Sequence, residues 1–218
     1  LLCRKCRLFT DGTIKRLVIC MPPRHLKSTI GSVALPAWIL GHNPSAKVIC
    51  ASYGEDLAKD FSNQTRRVMT SESYALAFPN VQLEKSTDMH LRTLHGGERY
   101  ATTVGGPLTG KGADFIIVDD PIKYQDVDSQ ARRDEVAKWA FNLPTRLNNP
   151  NTGGILLIAQ RMHEDDVIGR MIDKGGWEVV TLPLIATQDE KYQLGPNPLL
   201  LSKGRRMPAS RTRRRCPR

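Results

Sequence analysis

The run Leu17-Val18-Ile19-Cys20-Met21-Pro22-Pro23-Arg24-His25-Leu26-Lys27-Ser28-Thr29 decides the fold. An apolar stretch of strand length ends in a short loop, and a helix-forming segment opens at the Lys-Ser pair. A strand, loop and helix in that order turn backbone N–H groups and the positive end of the helix dipole towards an anion. The lysine meets β- and γ-phosphate charge, and the serine hydroxyl is a ligand for Mg²⁺. Pro23, Arg24, His25, Leu26, Lys27, Ser28 and Thr29 are therefore the candidate phosphate-binding residues. The usual pattern has glycine six residues before the lysine and directly before it, where this chain has Met21 and Leu26. Taken alone, the stretch also fits an ordinary helix start.

A second segment strengthens the first. Phe115-Ile116-Ile117-Val118-Asp119-Asp120 is another buried-strand run, closed by two adjacent carboxylates. Acid at the end of such a strand holds Mg²⁺ beside a nucleotide and polarises an attacking water. In a doubly wound sheet ligands bind at the carboxyl ends of the strands. The expectation is that both segments end neighbouring parallel strands and share one site for ATP and Mg²⁺.

Strand and helix patterns alternate along the chain, which predicts an α/β fold of the P-loop NTPase type: a parallel sheet flanked by helices, with a β-hairpin insertion. Strands are predicted over 15–20, 47–51, 154–159 and 177–182. Helices are predicted over 28–40, 55–69, 129–141 (with acid near its start) and about 164–172. The second of these would turn Leu57, Ala58, Phe61 and Val68 inward. The segments 89–94 and 99–103 flank His95-Gly96-Gly97-Glu98, a hairpin signal. The glycine-rich loop 105–112 precedes the acidic strand; its tip either approaches the nucleotide or a neighbouring subunit, or is a plain turn. Residues 1–13 are expected to fray, 14–185 to form the domain, and 186–218 to be a linker, seen in Gly195-Pro196-Asn197-Pro198, with a disordered basic tail.

Charge is unevenly spread. The chain of 218 residues has a formal net charge of +10. Lys203, Arg205, Arg206, Arg211, Arg213, Arg214, Arg215 and Arg218 supply most of it, with no acid among them, so the body is nearly neutral. Such a tail either binds nucleic acid through its phosphates or is simply solvated; a truncated or frame-shifted coding end is a further reading. No run approaches the roughly 20 apolar residues of a membrane span, and no secretion signal is visible, so an intracellular protein is expected. Cys20 and Cys50 lie in strand runs and are expected to be reduced core residues. Cys3-x-x-Cys6 has metal spacing without a second pair of ligands, and His163-Glu164-Asp165-Asp166 reads more economically as helix-capping acid than as a metal site.

Three motifs in order resemble the ATPase half of the phage terminase large subunit, the motor that packages DNA into phage heads. They are Pro22-Pro23-Arg24-His25-Leu26-Lys27-Ser28, Gly110-Lys111-Gly112-Ala113-Asp114 leading into Ile117-Val118-Asp119-Asp120-Pro121, and Gln160-Arg161-Met162-His163-Glu164-Asp165-Asp166-Val167-Ile168-Gly169-Arg170. The last resembles a family segment written T-R-W-H-E-D-D-L-I-G-R. The resemblance implies that Lys27 is the Walker A lysine and that Ser28 and Asp119 are the Mg²⁺ ligands. It implies that Asp120 stands where a catalytic glutamate is common, and that Gln160 and Arg161 belong to a motif coupling phosphate loss to movement. It implies that Arg24 senses phosphate or stabilises transition-state charge. It also implies double-stranded DNA, a portal protein and a small terminase subunit as partners, a homo-oligomeric ring, and the cytoplasm of a bacterial host carrying a phage or prophage. The chain departs from the family at Leu26, Gln160 and Met162, in lacking an upstream adenine-contacting segment, and in lacking the carboxylates of a nuclease half, so no nuclease activity is expected of it. The alternatives are another P-loop DNA-dependent ATPase or an inactive prophage remnant that keeps the nucleotide-binding fold.

Overall fold

The computed structural model describes residues 1–108, 110–185, 189–194, 197–204 and 206. Cys216 and most of the basic tail lie outside them, as do Gly195 and Pro196.

The chain begins with α1 (Leu2–Thr10), β1 (Arg16–Cys20), a π-helical stretch (Thr29–Ala34) running into α2 (Leu35–His42), and β2 (Lys47–Ser52). Then come α3 (Glu55–Met69), α4 (Glu72–Ala77), β3 (Leu83–Ser86), β4 (His90–Thr93), β5 (Glu98–Thr103) and β6 (Phe115–Asp119). The remainder is α5 (Gln130–Phe141), β7 (Gly154–Ala159), α6 (Val167–Lys174), β8 (Glu178–Thr181), β9 (Glu190–Leu194) and β10 (Asn197–Leu201). The main sheet has eight strands in the order β3-β4-β5-β2-β6-β7-β1-β8. From β5 to β8 every neighbouring pair is parallel, whereas β3, β4 and β5 pair antiparallel. The predicted hairpin forms as β4 and β5, and β5 also pairs in parallel with β2, which joins the hairpin to the main sheet.

Alternation along the central strands sorts their side chains onto two faces. Val18, Cys20, Ile49, Ala51, Ile116, Val118, Ile155 and Leu157 pack against Val136, Ala137 and Ala140 of α5 and Val167, Ile168 and Met171 of α6. Leu17, Ile19, Val48, Cys50, Ile117, Leu156 and Ile158 pack against Leu35 and Ile39 of α2 and Cys6 and Phe9 of α1. Burial pushes the Cys20 thiol up to about 11 and raises that of Cys50 as well, in keeping with unreactive core residues.

Five expectations change. The N-terminal segment does not fray: α1 covers one end of the sheet, with Phe9 0 % exposed and its ring 5.4 Å from that of Phe115. Helix α3 buries Ala58, Ser62, Thr65 and Met69 rather than Leu57, Phe61 and Val68, because it lies close against the π-helical stretch, where small side chains fit. Helix α5 has no acid in its first turn; the Ser129 hydroxyl caps it by accepting from the Arg132 N–H. Residues 190–194 and 197–201, within the span expected to be linker and tail, pair as the antiparallel ribbon β9–β10. Helix α6 also starts later than expected, at Val167, because Asp166 caps it by accepting from the Gly169 N–H at 2.8 Å.

Candidate nucleotide-binding site

Strand β1 delivers the loop 21–26 to the carboxyl end of the sheet, and the helix that follows carries Lys27 and Ser28 in its first turn. The first N–H groups of a helix have no carbonyl partner within it and so face an anion. The loop needs an unusual backbone to do this: Arg24 and Leu26 both adopt φ 62°, a left-handed conformation. That explains why glycine is the commoner residue directly before the lysine, since an L side chain there costs about 1–2 kcal/mol. Leu26 tolerates the conformation with its side chain 43 % exposed.

Strands β1 and β6 are not neighbours, contrary to expectation: β7 lies between them. The helix bridges this gap by lying tightly on β7. A Cβ on Gly31 would stand 1.9 Å from the Ile158 Cδ1, so any other residue would have to displace that buried side chain. The π-helical turn then brings Ser32 over β6, where its hydroxyl donates to the Asp119 Oδ2 at 2.7 Å. Such wide turns within helices are frequent at functional sites.

The charged groups meet at this edge. The Lys27 ammonium, 8 % exposed, donates to Oδ2 of Asp120. Asp120 itself has φ 44°, a strained backbone that turns its carboxylate back over the sheet. Its Oδ1 accepts from the Gln160 N–H at 3.3 Å, so the end of β7 joins the same cluster. Asp119 is 1 % exposed, and its Oδ1 has no hydrogen-bond partner among the described residues. Burial raises its carboxyl to about 6; the Ser32 hydroxyl opposes this, the Asp120 charge adds to it, and Ser28 and Lys27 pull it back. A buried carboxylate oxygen without a donor, beside serine hydroxyls, offers oxygen ligands of the kind a hard divalent cation takes, and the lysine beside them offers charge to phosphates.

The other expected residues are placed as follows. Pro23, Arg24 and Thr29 are exposed along the loop and first turn, and Ser28 is half-buried. His25 Nδ1 lies 2.8 Å from the Pro23 carbonyl, bracing the loop, while its Nε2 is buried without a partner among the described residues. Arg161 is not brought to the cluster. Its Nε donates to Asp166 at 3.0 Å and its Nη2 to the Glu164 carbonyl at 2.9 Å, which fastens the segment after β7 to the cap of α6. His163 accepts the Asp165 N–H at 2.9 Å, and no group of metal-ligating side chains forms there among the described residues. A cleft of about 530 Å³ opens beside Asp120 and Gln160, lined by Tyr53, Ile122, Lys123, Tyr124, Gln125 and Met162.

Sequence reading missed Ser32 and Gly31, although both lie within one turn or so of Ser28. It also missed Arg99, fully buried on β5, whose Nη2 donates to the Ser32 carbonyl at 3.3 Å. Nothing in a polar hairpin sequence marks an arginine that turns inward.

No protein-family model and no curated protein matches the sequence. Solved structures do. The large terminase of bacteriophage HK97 superposes with a TM-score of 0.51 over 78 % of this chain and 35 % of that one, at 14 % identity. The large terminase ATPase domain of Thermus phage P74-26 gives 0.48 over 73 % and 66 %, at 18 % identity. The N-terminal domain of the bacteriophage phi29 DNA packaging ATPase gives 0.46 over 78 % and 84 %, at 15 % identity. This chain spans about a third of the HK97 protein. The sheet order, the lysine-bearing loop and the paired carboxylates are thus set in an α/β fold shared with the HK97 large terminase.

Proposed function

We propose that this chain is the ATPase motor domain of a phage terminase large subunit, coupling Mg-ATP hydrolysis to translocation of double-stranded DNA into a procapsid. The observation that carries this is the convergence of Lys27, Asp119 and Asp120 at one edge of the sheet. The fold shared with the HK97 large terminase supports it.

Ser28 and Asp119 would hold Mg²⁺, which when bound would neutralise phosphate charge. The loop and first helical turn from Pro23 to Thr29 would wrap the phosphates, with Arg24 on its exposed side. A triphosphate competes with Asp120 for the Lys27 ammonium. Once released, the Asp120 carboxylate is free to orient the attacking water and accept its proton. The same carboxylate holds the Gln160 N–H, so its rearrangement is felt at once by the segment that Arg161 fastens to α6. That is a direct mechanical route from phosphate chemistry to a helix. Work on DNA would use a homo-oligomeric ring on a portal protein, with a small terminase subunit choosing the DNA, in the cytoplasm of a phage-infected or lysogenic bacterium. No nuclease activity is assigned to this chain.

The test is phosphate release from ATP by the purified chain, with and without duplex DNA and portal protein. Lys27→Ala should lower turnover by at least about a hundredfold, since it removes a preorganised charge at the transferred phosphate. Full turnover in that variant overturns the site. Stimulation by single-stranded DNA and not by portal protein overturns the packaging assignment in favour of another DNA-dependent ATPase.

A further inference from the structure

Among the described residues Arg99 is the largest fully buried side chain, and it is charged at any accessible pH. It sits on β5 in register with Val48, and Val48 is in register with Phe115, so a whole strand separates it from β6. No carboxylate pairs with it among the described residues, and its Nε and Nη1 have no hydrogen-bond partner there. Burying a charge on such terms is costly, and an apolar residue of similar length would serve stability better. What Arg99 does reach is the carbonyl of Ser32, in the π-helical turn. The Thr65 hydroxyl, 3.4 Å from the same carbonyl, approaches it from α3. The other end of Ser32 is the hydroxyl on the Asp119 Oδ2. Arg99, Ser32 and Asp119 therefore form one line from β5 to the buried carboxylate, whose second oxygen is left open.

We infer that Arg99 is a positioning residue for the metal-side carboxylate: it pins the carbonyl of the π-helical turn so that the Ser32 hydroxyl holds one oxygen of Asp119 and leaves the other for Mg²⁺. This rests on the Mg-nucleotide reading of the site. Groups that orient a metal ligand from behind typically change metal affinity by about 10–100-fold when removed.

The experiment is a Mg²⁺ titration of binding of a fluorescent ATP analogue, with binding in EDTA as the reference, on the wild-type chain and on Ser32→Ala, Arg99→Met, Arg99→Lys and the double variant Ser32→Ala/Arg99→Met. Ser32→Ala and Arg99→Met should each raise the Mg²⁺ concentration for half-maximal binding about tenfold, with affinity in EDTA unchanged within about twofold. The double variant should lose no more than either single one, because both act through one hydroxyl. Arg99→Lys keeps the charge but not the fork and should fall between; it carries the test if Arg99→Met does not fold. An unaltered Mg²⁺ midpoint in folded Arg99 variants, or losses that add in the double variant, overturns the role of Arg99 and leaves the site intact. No Mg²⁺-dependent binding by the wild-type chain overturns both.

Discussion

Asp119 should make the metal-free protein lose stability as pH rises, and Asp119→Asn should abolish that loss. Burial lifts its carboxyl from the usual 3.8 to about 6. The folded state therefore binds this proton more tightly than the unfolded state does. The group's stabilising contribution is complete below the unfolded value, near pH 4, and is lost as pH climbs through about 6. A gap of about two units at about 1.4 kcal/mol each amounts to about 3 kcal/mol. The assay is urea unfolding of wild type and Asp119→Asn in EDTA across this range. The variant's stability relative to wild type should grow by about 3 kcal/mol, nearly all of it between about pH 4 and pH 6. A constant offset from packing the amide cancels in that comparison. A difference that does not vary with pH would refute the claim that Asp119 is buried with an open oxygen.

The remaining predictions concern the scaffold. Gly31→Ala should destabilise the protein by about 1–3 kcal/mol in the same unfolding assay, because its methyl collides with Ile158; an unchanged midpoint would mean that the helix does not lie on β7 as described. Leu26→Gly should be more stable than Leu26→Ala by about 1 kcal/mol, since both remove the same exposed side chain and only alanine keeps the left-handed strain. Phe9→Ala should cost about 3–5 kcal/mol, measured by thermal or urea unfolding, whereas a frayed terminus would show no effect.

Much of the fold was legible because strand runs such as Ile116-Ile117-Val118 and Leu156-Leu157-Ile158 are too apolar to be anything but buried on both faces, as parallel strands between helices are. The phosphate loop was legible because lysine and serine at a strand-to-helix junction carry local chemistry. The inner face of α3 was not, because a helix that approaches another closely buries serine and threonine in place of leucine and phenylalanine. Segment α1 was misjudged because only tertiary contacts tie down a terminus: its buried residues, Cys6 and Phe9, pack into a core built by strands far along the chain.

By itself the sequence determined the alternating elements, the lysine loop and the acidic strand end, since each depends on residues within a few positions of one another. Only the tertiary structure decided that β7 separates β1 from β6, that Gly31 lets the helix cross it, and that Arg99 reaches Ser32 from another strand. Strand order and buried polar contacts join residues tens of positions apart, and their energies depend on packing that no local pattern encodes.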